Sequence, residues 1–361
     1  MDLLSIDFLI NIAIIAVAIV FLNLTSDVVI KYATKIAAIS KLGKTSVGFT
    51  LISLSTTLPE LTVAVSAAIS GGAALSIGNA IGSNIFNIAA ILGIGAVLLG
   101  ANIFVQCKRK KNIAVSNNNI LPNFVDSELN NIEFGLFVAS VVPLILLYIP
   151  QEWAWFVGLI LLSVFGIYIY RLSRVRITTD EADVETEPGD KGKLKRFIVF
   201  TILGALGVVV SANFMVESAI VIATSAGVSQ EIIGATIVAL GTSLPELTIG
   251  VKSILKGHAN LAIGNIIGAA FFNTTLILGV TMFVPTLLGN AVNLEMSVYL
   301  NLILFSIIIN TFFWYFLSRR KIAWKEGAVL LTIYVLFIIT TIGAGAFAIG
   351  PAAAFSTIGI C

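Results

Sequence analysis

The chain contains 361 residues, of which 58% are hydrophobic and only 11% are charged, and its formal net charge is +2. Because soluble globular domains carry roughly 25% charged residues, this composition excludes an ordinary soluble protein. The small net charge gives no reason to expect a nucleic-acid partner. The basic residues are better explained by membrane topology and by contact with anionic lipid.

Apolar runs of about 20 residues, the length that crosses a bilayer as a helix, recur along nearly the whole chain. They predict an all-α, polytopic membrane protein with ten transmembrane helices. The first run is long, and we expect it to break near Asn23–Ser26. The predicted spans lie near residues 8–38, 46–70, 74–104, 132–149, 153–172, 196–226, 231–255, 260–287, 297–318 and 326–349.

The basic residues predict the orientation of these spans. All 21 Lys and Arg lie in or near the loops that follow spans 1, 3, 5, 7 and 9. The positive-inside rule makes this side cytoplasmic, so both termini are predicted to be extracellular. The short loops suggest the inner (plasma) membrane of a prokaryotic cell. Nothing in the sequence indicates an oligomeric state.

One stretch of the chain occurs twice. TTLPELT at 56–62 returns as TSLPELT at 242–248, and LSIGNAIG at 75–82 returns as LAIGNIIG at 261–268. A constant offset of 186 residues aligns 48–93 with 234–279, and 23 of these 46 positions are identical. The first copy enters the membrane from a basic loop, whereas the second leaves through one. The sequence therefore predicts two inverted five-helix repeats, a pattern typical of secondary transporters.

The repeats divide the chain into two halves. We expect an N-terminal half at 1–172 with helices 1–5 and a C-terminal half at 196–361 with helices 6–10. The segment 173–195 between them is polar and acidic, and we interpret it as a solvated cytoplasmic linker. Calcium sensing by this linker is an alternative, although the linker lacks the ligand spacing of an EF-hand loop.

Each repeat places one glutamate, Glu60 or Glu246, inside an otherwise apolar helix. Charge in a membrane helix is costly and therefore suggests a functional site. Pro59 and Pro245 remove one helical hydrogen bond each, and local unwinding could expose the carbonyls of Ser53 and Ala239. The helical spacing places oxygen donors on one face of each helix, namely Ser53, Thr56, Thr57 and Glu60 in the first copy and Ala239, Thr242, Ser243 and Glu246 in the second.

The following span of each repeat adds a second polar stripe, formed by Asn79, Ser83 and Asn87 in the first copy and by Asn265, Ala269 and Asn273 in the second. The stripes contain no His or Cys, which argues against zinc or copper. Oxygen ligands alone suit Ca²⁺, and also Na⁺ as another hard cation. The opposing interpretation is structural, with prolines that only kink helices and glutamates that form a buried pair.

Charge balance makes the cation hypothesis more specific. One Ca²⁺, two Na⁺ or two protons would each neutralise the two glutamates. Because an empty site with two ionised carboxylates is strongly unfavourable, we expect one cation set to replace another. Three further polar residues are weaker candidates: Asp27, expected to pair with Lys31; Glu217; and His258, interpreted as a surface residue.

At these motifs the chain resembles the sodium/calcium exchanger family of the calcium/cation antiporter superfamily, in its prokaryotic form. GTSLPE at 241–246 and GNAIGSNIFN at 78–87 carry the resemblance. It implies a calcium site at Glu60 and Glu246 with backbone carbonyls near Ser53 and Ala239, and exchange that is typically three Na⁺ for one Ca²⁺. It also implies that spans 1 and 6 slide as a gating bundle. Residues matching the hydroxyl ligands of the family's sodium sites are Thr56, Thr57, Ser83, Thr242 and Ser243.

Two positions depart from the family pattern. Ala269 replaces a serine, which predicts that one sodium site is weakened or rearranged. Asn273 stands where several members have an aspartate, and this argues against potassium co-transport. The proton/calcium branch usually carries a glutamate and a histidine after its GN motifs, and this chain has neither.

The sequence thus predicts a Na⁺/Ca²⁺ antiporter that works by alternating access. The two ions are transported substrates, and no organic cofactor is expected. A proton-coupled exchanger of Ca²⁺ or another divalent cation is the main alternative, and a passive cation channel is another. An intramembrane enzyme is disfavoured because the spans contain no Ser/His pair, no paired aspartates and no HExxH motif.

Overall fold

The computed structural model describes residues 6–40, 43–70, 73–109, 126–146, 150–174, 193–225, 239–288 and 296–349. The longest helices are α1 (Ile6–Ser40), α6 (Leu92–Arg109), α7 (Asp126–Leu146), α8 (Ala154–Arg174), α9 (Leu194–Ser225), α14 (Met296–Ser318) and α15 (Trp324–Ile349). Shorter α-helices are α2 (Gly43–Val47), α3 (Ser53–Thr56), α4 (Leu58–Ser70), α5 (Ala73–Ile85), α10 (Ala239–Thr242), α11 (Leu244–Leu255), α12 (Ala259–Phe272) and α13 (Leu278–Leu287). The described part of the chain also contains three π-helical turns, π1 (Gly48–Ile52), π2 (Phe86–Ile91) and π3 (Asn273–Ile277).

The described residues form ten helical segments that lie in the spans predicted from hydropathy, although residues 231–238 of the seventh span lie outside the described part, and the predicted all-α membrane architecture is confirmed. In the described residues, seven segments are long and apolar enough to cross a membrane as single stretches. Large apolar side chains cover the outer faces, for example Phe21 at 57% and Ile167 at 58% exposure. Such exposure fits a surface that is solvated by lipid rather than by water. Most of the linker predicted at 173–195 lies outside the described residues.

The break predicted near Asn23–Ser26 is wrong, because α1 runs without interruption from Ile6 to Ser40. Its polar side chains bond to the helix itself: Thr25 Oγ1 donates to the Phe21 carbonyl at 2.7 Å, and Ser26 Oγ donates to the Leu22 carbonyl at 2.7 Å. A hydroxyl bonded in this way is satisfied without leaving the helix. Polar residues at this point therefore do not require a break.

The two repeats are interrupted at matching residues. The chain turns at Thr57 (φ −81°, ψ 3°) between α3 and α4, and at Ser243 (φ −94°, ψ 6°) between α10 and α11. Turns π2 and π3 also lie one repeat length apart. Each half therefore contains both a broken helix and a π turn. Both features are frequent at functional sites of membrane proteins.

A close helix crossing fixes how the halves meet. The segment α2–π1–α3 packs against α12 so tightly that a Cβ at Gly264 would collide with the Thr45 carbonyl, and one at Gly268 with the Phe49 carbonyl. Beside the crossing, the Phe49 ring lies 5.3 Å from the Tyr168 ring and 5.7 Å from the Phe271 ring, measured between centroids. Glycine permits this approach and the aromatic rings hold it.

Helix α1 packs along α9, where Tyr32 stacks on Phe200 with 4.9 Å between ring centroids. The predicted Asp27–Lys31 pair is wrong. The Asp27 carboxylate instead binds Lys252 and Lys256 near the end of α11, at 2.8 Å for Lys256 Nζ. Lys252 Nζ also donates to the Asn23 carbonyl at 2.7 Å. These contacts connect α1 to a helix more than 200 residues away, whereas Lys31 Nζ lies over the Tyr32 ring.

The crossing makes a prediction about stability. Gly264→Ala should destabilise the protein by about 1–3 kcal/mol, because the new methyl meets backbone that cannot rotate away. Gly166→Ala on α8 is the matched control, since a Cβ at this position would have no atom within 4 Å. Thermal unfolding in detergent measures both variants. Equal melting temperatures for the two would contradict the tight crossing.

Candidate cation-binding site

Both glutamates lie in the first turn of a helix that follows a break. Glu60 is the third residue of α4, and Glu246 is the third residue of α11. Their side chains are buried, at 1% and 0% exposure. The free N–H groups and the positive dipole end of a helix N-terminus favour a negative charge at this position. Each break thus supplies part of the stabilisation that a buried carboxylate needs.

The two carboxylates lie close enough to repel one another, and hydroxyls from the opposite repeat accompany them. Ser243 lies beside the Glu60 carboxylate, and Thr56 lies beside the Glu246 carboxylate. Ser243 Oγ also donates to Ser83 Oγ at 3.2 Å. The halves therefore build one shared site, since each glutamate is contacted by a residue of the other repeat.

The expectation that the Ser53 carbonyl becomes free is not met in this structure. It accepts a hydrogen bond from the Thr57 N–H at 2.9 Å and also bonds the Thr57 hydroxyl. The reason is that Pro59 lies in the first turn of α4, where its missing N–H breaks no helical bond to Ser53. Residue 239 begins α10, so its carbonyl lies at the first position of that helix.

Several oxygens of the site are buried without a hydrogen-bond partner among the described residues. Buried polar atoms are normally satisfied by hydrogen bonds, so a group of oxygens that the protein leaves unpartnered fits the binding of a cation. Oxygens are the atom type that hard cations bind, although two amide donors of the same stripes, Asn79 Nδ2 and Asn265 Nδ2, also lack a partner among the described residues. The unpartnered oxygens are Glu60 Oε2, Glu246 Oε1, Glu246 Oε2, Asn87 Oδ1, Asn265 Oδ1 and Asn273 Oδ1.

Asn84 is a residue of this region that the sequence reasoning missed. Its Nδ2 donates to the Ala270 carbonyl at 3.4 Å, and its Oδ1 accepts from Asn273 Nδ2 at 3.0 Å. Asn84 and Ala270 occupy the same position in the two repeats, one offset apart. A comparison of the two repeats could have identified Asn84, because this position has an amide side chain in one copy and a methyl group in the other.

The remaining predicted residues lie on the same helices or at their ends. Thr57, Ser83, Asn87 and Asn273 are buried, Thr242 is half-buried at the end of α10, and Ala239 begins that helix. The structure joins the Thr56, Glu60, Ser83, Ser243 and Glu246 side chains through contacts between the repeats. Asn273 is bonded to Asn84 and not to these side chains in the described contacts, and Asn87 lies in π2.

His258 lies outside the site, in the turn between α11 and α12. We interpreted it from the sequence as a surface residue, and its side chain is half-buried. Burial, followed by the charges of Lys44 and Lys256, lowers the pKa of its imidazole below the usual value. The side chain is therefore neutral at pH 7 and adds no charge to this basic end of the molecule.

The Asn84 bridge yields a prediction. Asn84→Ala should lower the free energy of unfolding by about 1 kcal/mol, because it removes two hydrogen bonds from a buried, water-free position. Asn301→Ala is the control, since Asn301 donates a similar bond to Thr341 Oγ1 at 3.0 Å, but this bond is exposed rather than buried. Thermal unfolding in detergent compares them. An Asn84 variant as stable as the control would show that the bridge does not hold the halves together.

Comparisons with known proteins agree with this geometry. The family model for the sodium/calcium exchanger protein matches residues 10–174 and 196–343. The chain is 29% identical to the sodium/calcium exchanger MaX1 of Methanosarcina acetivorans over 91% of this chain and 98% of that protein. It is 30% identical to the putative antiporter CaxA of Alkalimonas amylolytica over 89% and 95% of the two chains. A solved structure of the sodium-calcium exchanger NCX_Mj soaked with 10 mM Na⁺ and zero Ca²⁺ superposes with a TM-score of 0.73, at 25% identity over 91% and 98% of the chains.

The matched segments cover both halves and both glutamate helices, and the fold agrees over nearly the full length of the solved structure. The chain belongs to the sodium/calcium exchanger family.

Proposed function

We propose that the protein is a secondary active antiporter that exchanges Na⁺ for Ca²⁺ across a membrane by alternating access. The observation that carries the proposal is the pair of buried glutamates, Glu60 and Glu246, whose carboxylates hold three oxygens, Glu60 Oε2, Glu246 Oε1 and Glu246 Oε2, with no hydrogen-bond partner among the described residues. The names of the matched relatives, sodium/calcium exchangers in M. acetivorans and in the solved structures, agree with it. Both ions are substrates rather than resident cofactors.

The donor set explains why calcium and sodium compete. Ca²⁺ binds six to eight oxygens, and carboxylate and amide oxygens are its usual ligands. Because Asn273 is neutral, the net charge of the proposed pocket comes from the two glutamates. One Ca²⁺ or two Na⁺ balances that charge. If one kind of ion left and the other did not bind in its place, two buried carboxylates would remain without a neutralising charge.

The proposed ligands are the eleven residues predicted from the sequence. Their oxygens come from four crossing segments, so an ion held among them contacts both halves. The set is Ser53, Thr56, Thr57, Glu60, Ser83, Asn87, Ala239, Thr242, Ser243, Glu246 and Asn273.

We further propose that the protein lies in a prokaryotic plasma membrane with both termini outside, and that the halves 1–172 and 196–361 are joined by the cytoplasmic linker 173–195. Charged side chains from different segments support one basic face. Lys44, at the start of α2, and Lys256, after α11, both lie near His258. Accessibility of cysteines introduced at Lys44 and Lys256 to an impermeant reagent tests the orientation.

The glutamates give the decisive prediction. Glu60→Gln and Glu246→Gln should each reduce sodium-gradient-driven ⁴⁵Ca²⁺ uptake into proteoliposomes by at least about tenfold, because each removes one of the charges that binds the cation. The exposed Glu152 supplies the control Glu152→Gln, which should transport normally. Size-exclusion profiles show whether the variants fold. Full uptake by either site variant would refute the proposal.

The same vesicles separate the alternatives. If a pH gradient drives calcium uptake and a sodium gradient does not, the protein is a proton-coupled exchanger. Calcium flux that needs no counter-ion and does not saturate would identify a channel.

Alternating access requires a moving part, and we propose the paired helices α1 and α9. They pack on one another through Tyr32 and Phe200, while the Asp27 contacts tie α1 to α11. If α1 slides past α11 during the cycle, these ion pairs must break. The Asp27 side chain is 43% exposed, so the ion pairs contribute only modestly.

Removing the Asp27 ion pairs should therefore speed the transport cycle. We expect Asp27→Asn to raise the maximal exchange rate by up to about fivefold without changing the half-saturating Na⁺ or Ca²⁺ concentration. Lys31→Met, which removes a cation that does not bind Asp27, should leave the rate unchanged. An altered half-saturating concentration, or a rate equal to that of the wild type, would count against this role.

A further inference from the structure

Two helix crossings contribute to the site, and each has one serine, but the serine belongs to a different helix in each crossing. We define the N-terminal crossing as α3 against α12 (Ser53, Gly268 and Ala269) and the C-terminal crossing as α10 against α5 (Ala239, Gly82 and Ser83). The repeat offset relates Ser53 to Ala239 and Ser83 to Ala269. Each crossing therefore has one serine and one alanine at these positions. In the N-terminal crossing the serine lies on the broken helix, as Ser53 on α3. In the C-terminal crossing it lies on the neighbouring helix, as Ser83 on α5.

The geometry places the Ser53 hydroxyl within the N-terminal crossing. The Ser53 side chain is fully buried, and a Cβ at Gly268, the residue before Ala269, would lie 2.5 Å from Ser53 Oγ. Because position 268 is glycine, the hydroxyl rests directly on the α12 backbone. Its counterpart in the other crossing, Ser83 Oγ, lies 3.2 Å from Ser243 Oγ.

The hydrogen bonds of Ser53 leave its hydroxyl able to bind a cation. Ser53 Oγ donates its proton to the Phe49 carbonyl, and no described residue donates a hydrogen bond to its lone pairs. The Ser53 carbonyl, by contrast, is occupied by the Thr57 N–H, the Thr57 hydroxyl and, at 3.3 Å, the Thr56 hydroxyl. Of the two oxygens of Ser53, the hydroxyl is the one whose lone pairs are available.

We propose that the Ser53 hydroxyl is the sodium ligand that replaces the hydroxyl missing at Ala269. Each crossing then keeps one serine hydroxyl, and the sodium site at the N-terminal crossing is rearranged rather than lost. This inference rests on the proposed function, since it assigns a ligand within the same transport site. Its competitor is a purely structural hydroxyl that only bonds its own helix.

Ser55 is the matched control for that competitor. It lies two residues away on the same stretch of chain, and its Oγ donates to the Leu51 carbonyl at 2.7 Å, the same four-residue pattern. A structural role predicts similar effects for Ser53→Ala and Ser55→Ala. A ligand role predicts that only Ser53→Ala changes sodium binding.

The experiment measures the half-saturating Na⁺ concentration for Ca²⁺ exchange in proteoliposomes, and separately the stabilisation of the detergent-solubilised protein against heat by added Na⁺. Ser53→Ala should raise the half-saturating Na⁺ concentration on the order of tenfold, the effect of losing one hydrogen-bond-strength contact to a charged group. It should shift the thermal stabilisation to higher Na⁺ by the same factor. Ser55→Ala should change neither.

The double variant Ser53→Ala/Ala269→Ser moves the hydroxyl back to α12 and should restore both readouts to within about twofold of the wild type. An unchanged sodium dependence for Ser53→Ala, or a folded double variant that still binds sodium weakly, would overturn the inference. If Ser53→Ala alone does not fold, the double variant decides. A wild-type protein with no sodium-driven exchange would defeat the proposed function itself, whereas normal exchange with an indifferent Ser53→Ala defeats only the ligand assignment.

Discussion

Two carboxylates of like charge buried beside each other, Glu60 and Glu246, set the main physical constraint on this molecule. Moving one ion out of water costs several kcal/mol, and the mutual repulsion adds to that cost. The protein offsets part of it with local means, since each glutamate begins a half-helix and has a hydroxyl of the other repeat beside it. Three of the four carboxylate oxygens still lack a hydrogen-bond partner among the described residues, so these groups satisfy the pair only in part. In the function we propose, a bound cation supplies the remaining contacts, so binding and release become the events around which the fold is organised.

The inverted repeat is what lets one chain meet this constraint twice. Each half provides a broken helix with its glutamate and a neighbouring helix interrupted by a π turn. Because the halves cross the membrane in opposite directions, their broken helices bring two helix N-termini to one place. The close approach depends on the absence of side chains at Gly264 and Gly268, where any Cβ would strike backbone of the partner segment. Small residues here are therefore a condition for the site, not only for packing.

The hydropathy pattern and the internal repeat predicted the helices and the duplicated residues, whereas the partners of individual side chains depend on tertiary contacts that the sequence pattern does not give. Hydropathy located the ten helical segments because each must bury its own backbone polar groups in lipid. The repeat pointed to Glu60 and Glu246 because a charge placed twice in apolar surroundings has no structural explanation as simple as a functional one. The partner of Asp27 could not be found in this way, since local spacing offered Lys31 while the fold supplies Lys252 and Lys256. Asn84 escaped for the same reason: its partners belong to the other half, and its repeat mate is an alanine.

The differences between the halves are as informative as their likeness. An inverted repeat with identical halves would have outward-open and inward-open states related by symmetry, and hence of equal energy. This chain departs from that limit in two ways. The first is the placement of the serines: each crossing has one serine hydroxyl, but it lies on the broken helix in one half and on the neighbouring helix in the other, so its surroundings differ. The ion pairs of Asp27 have no charged equivalent, because the repeat offset relates Asp27 to Asn213, Lys252 to Ser66 and Lys256 to Ser70. A contact made at only one end weights one state over its mirror image, so the asymmetry of the two halves sets the energy difference that ion binding must overcome.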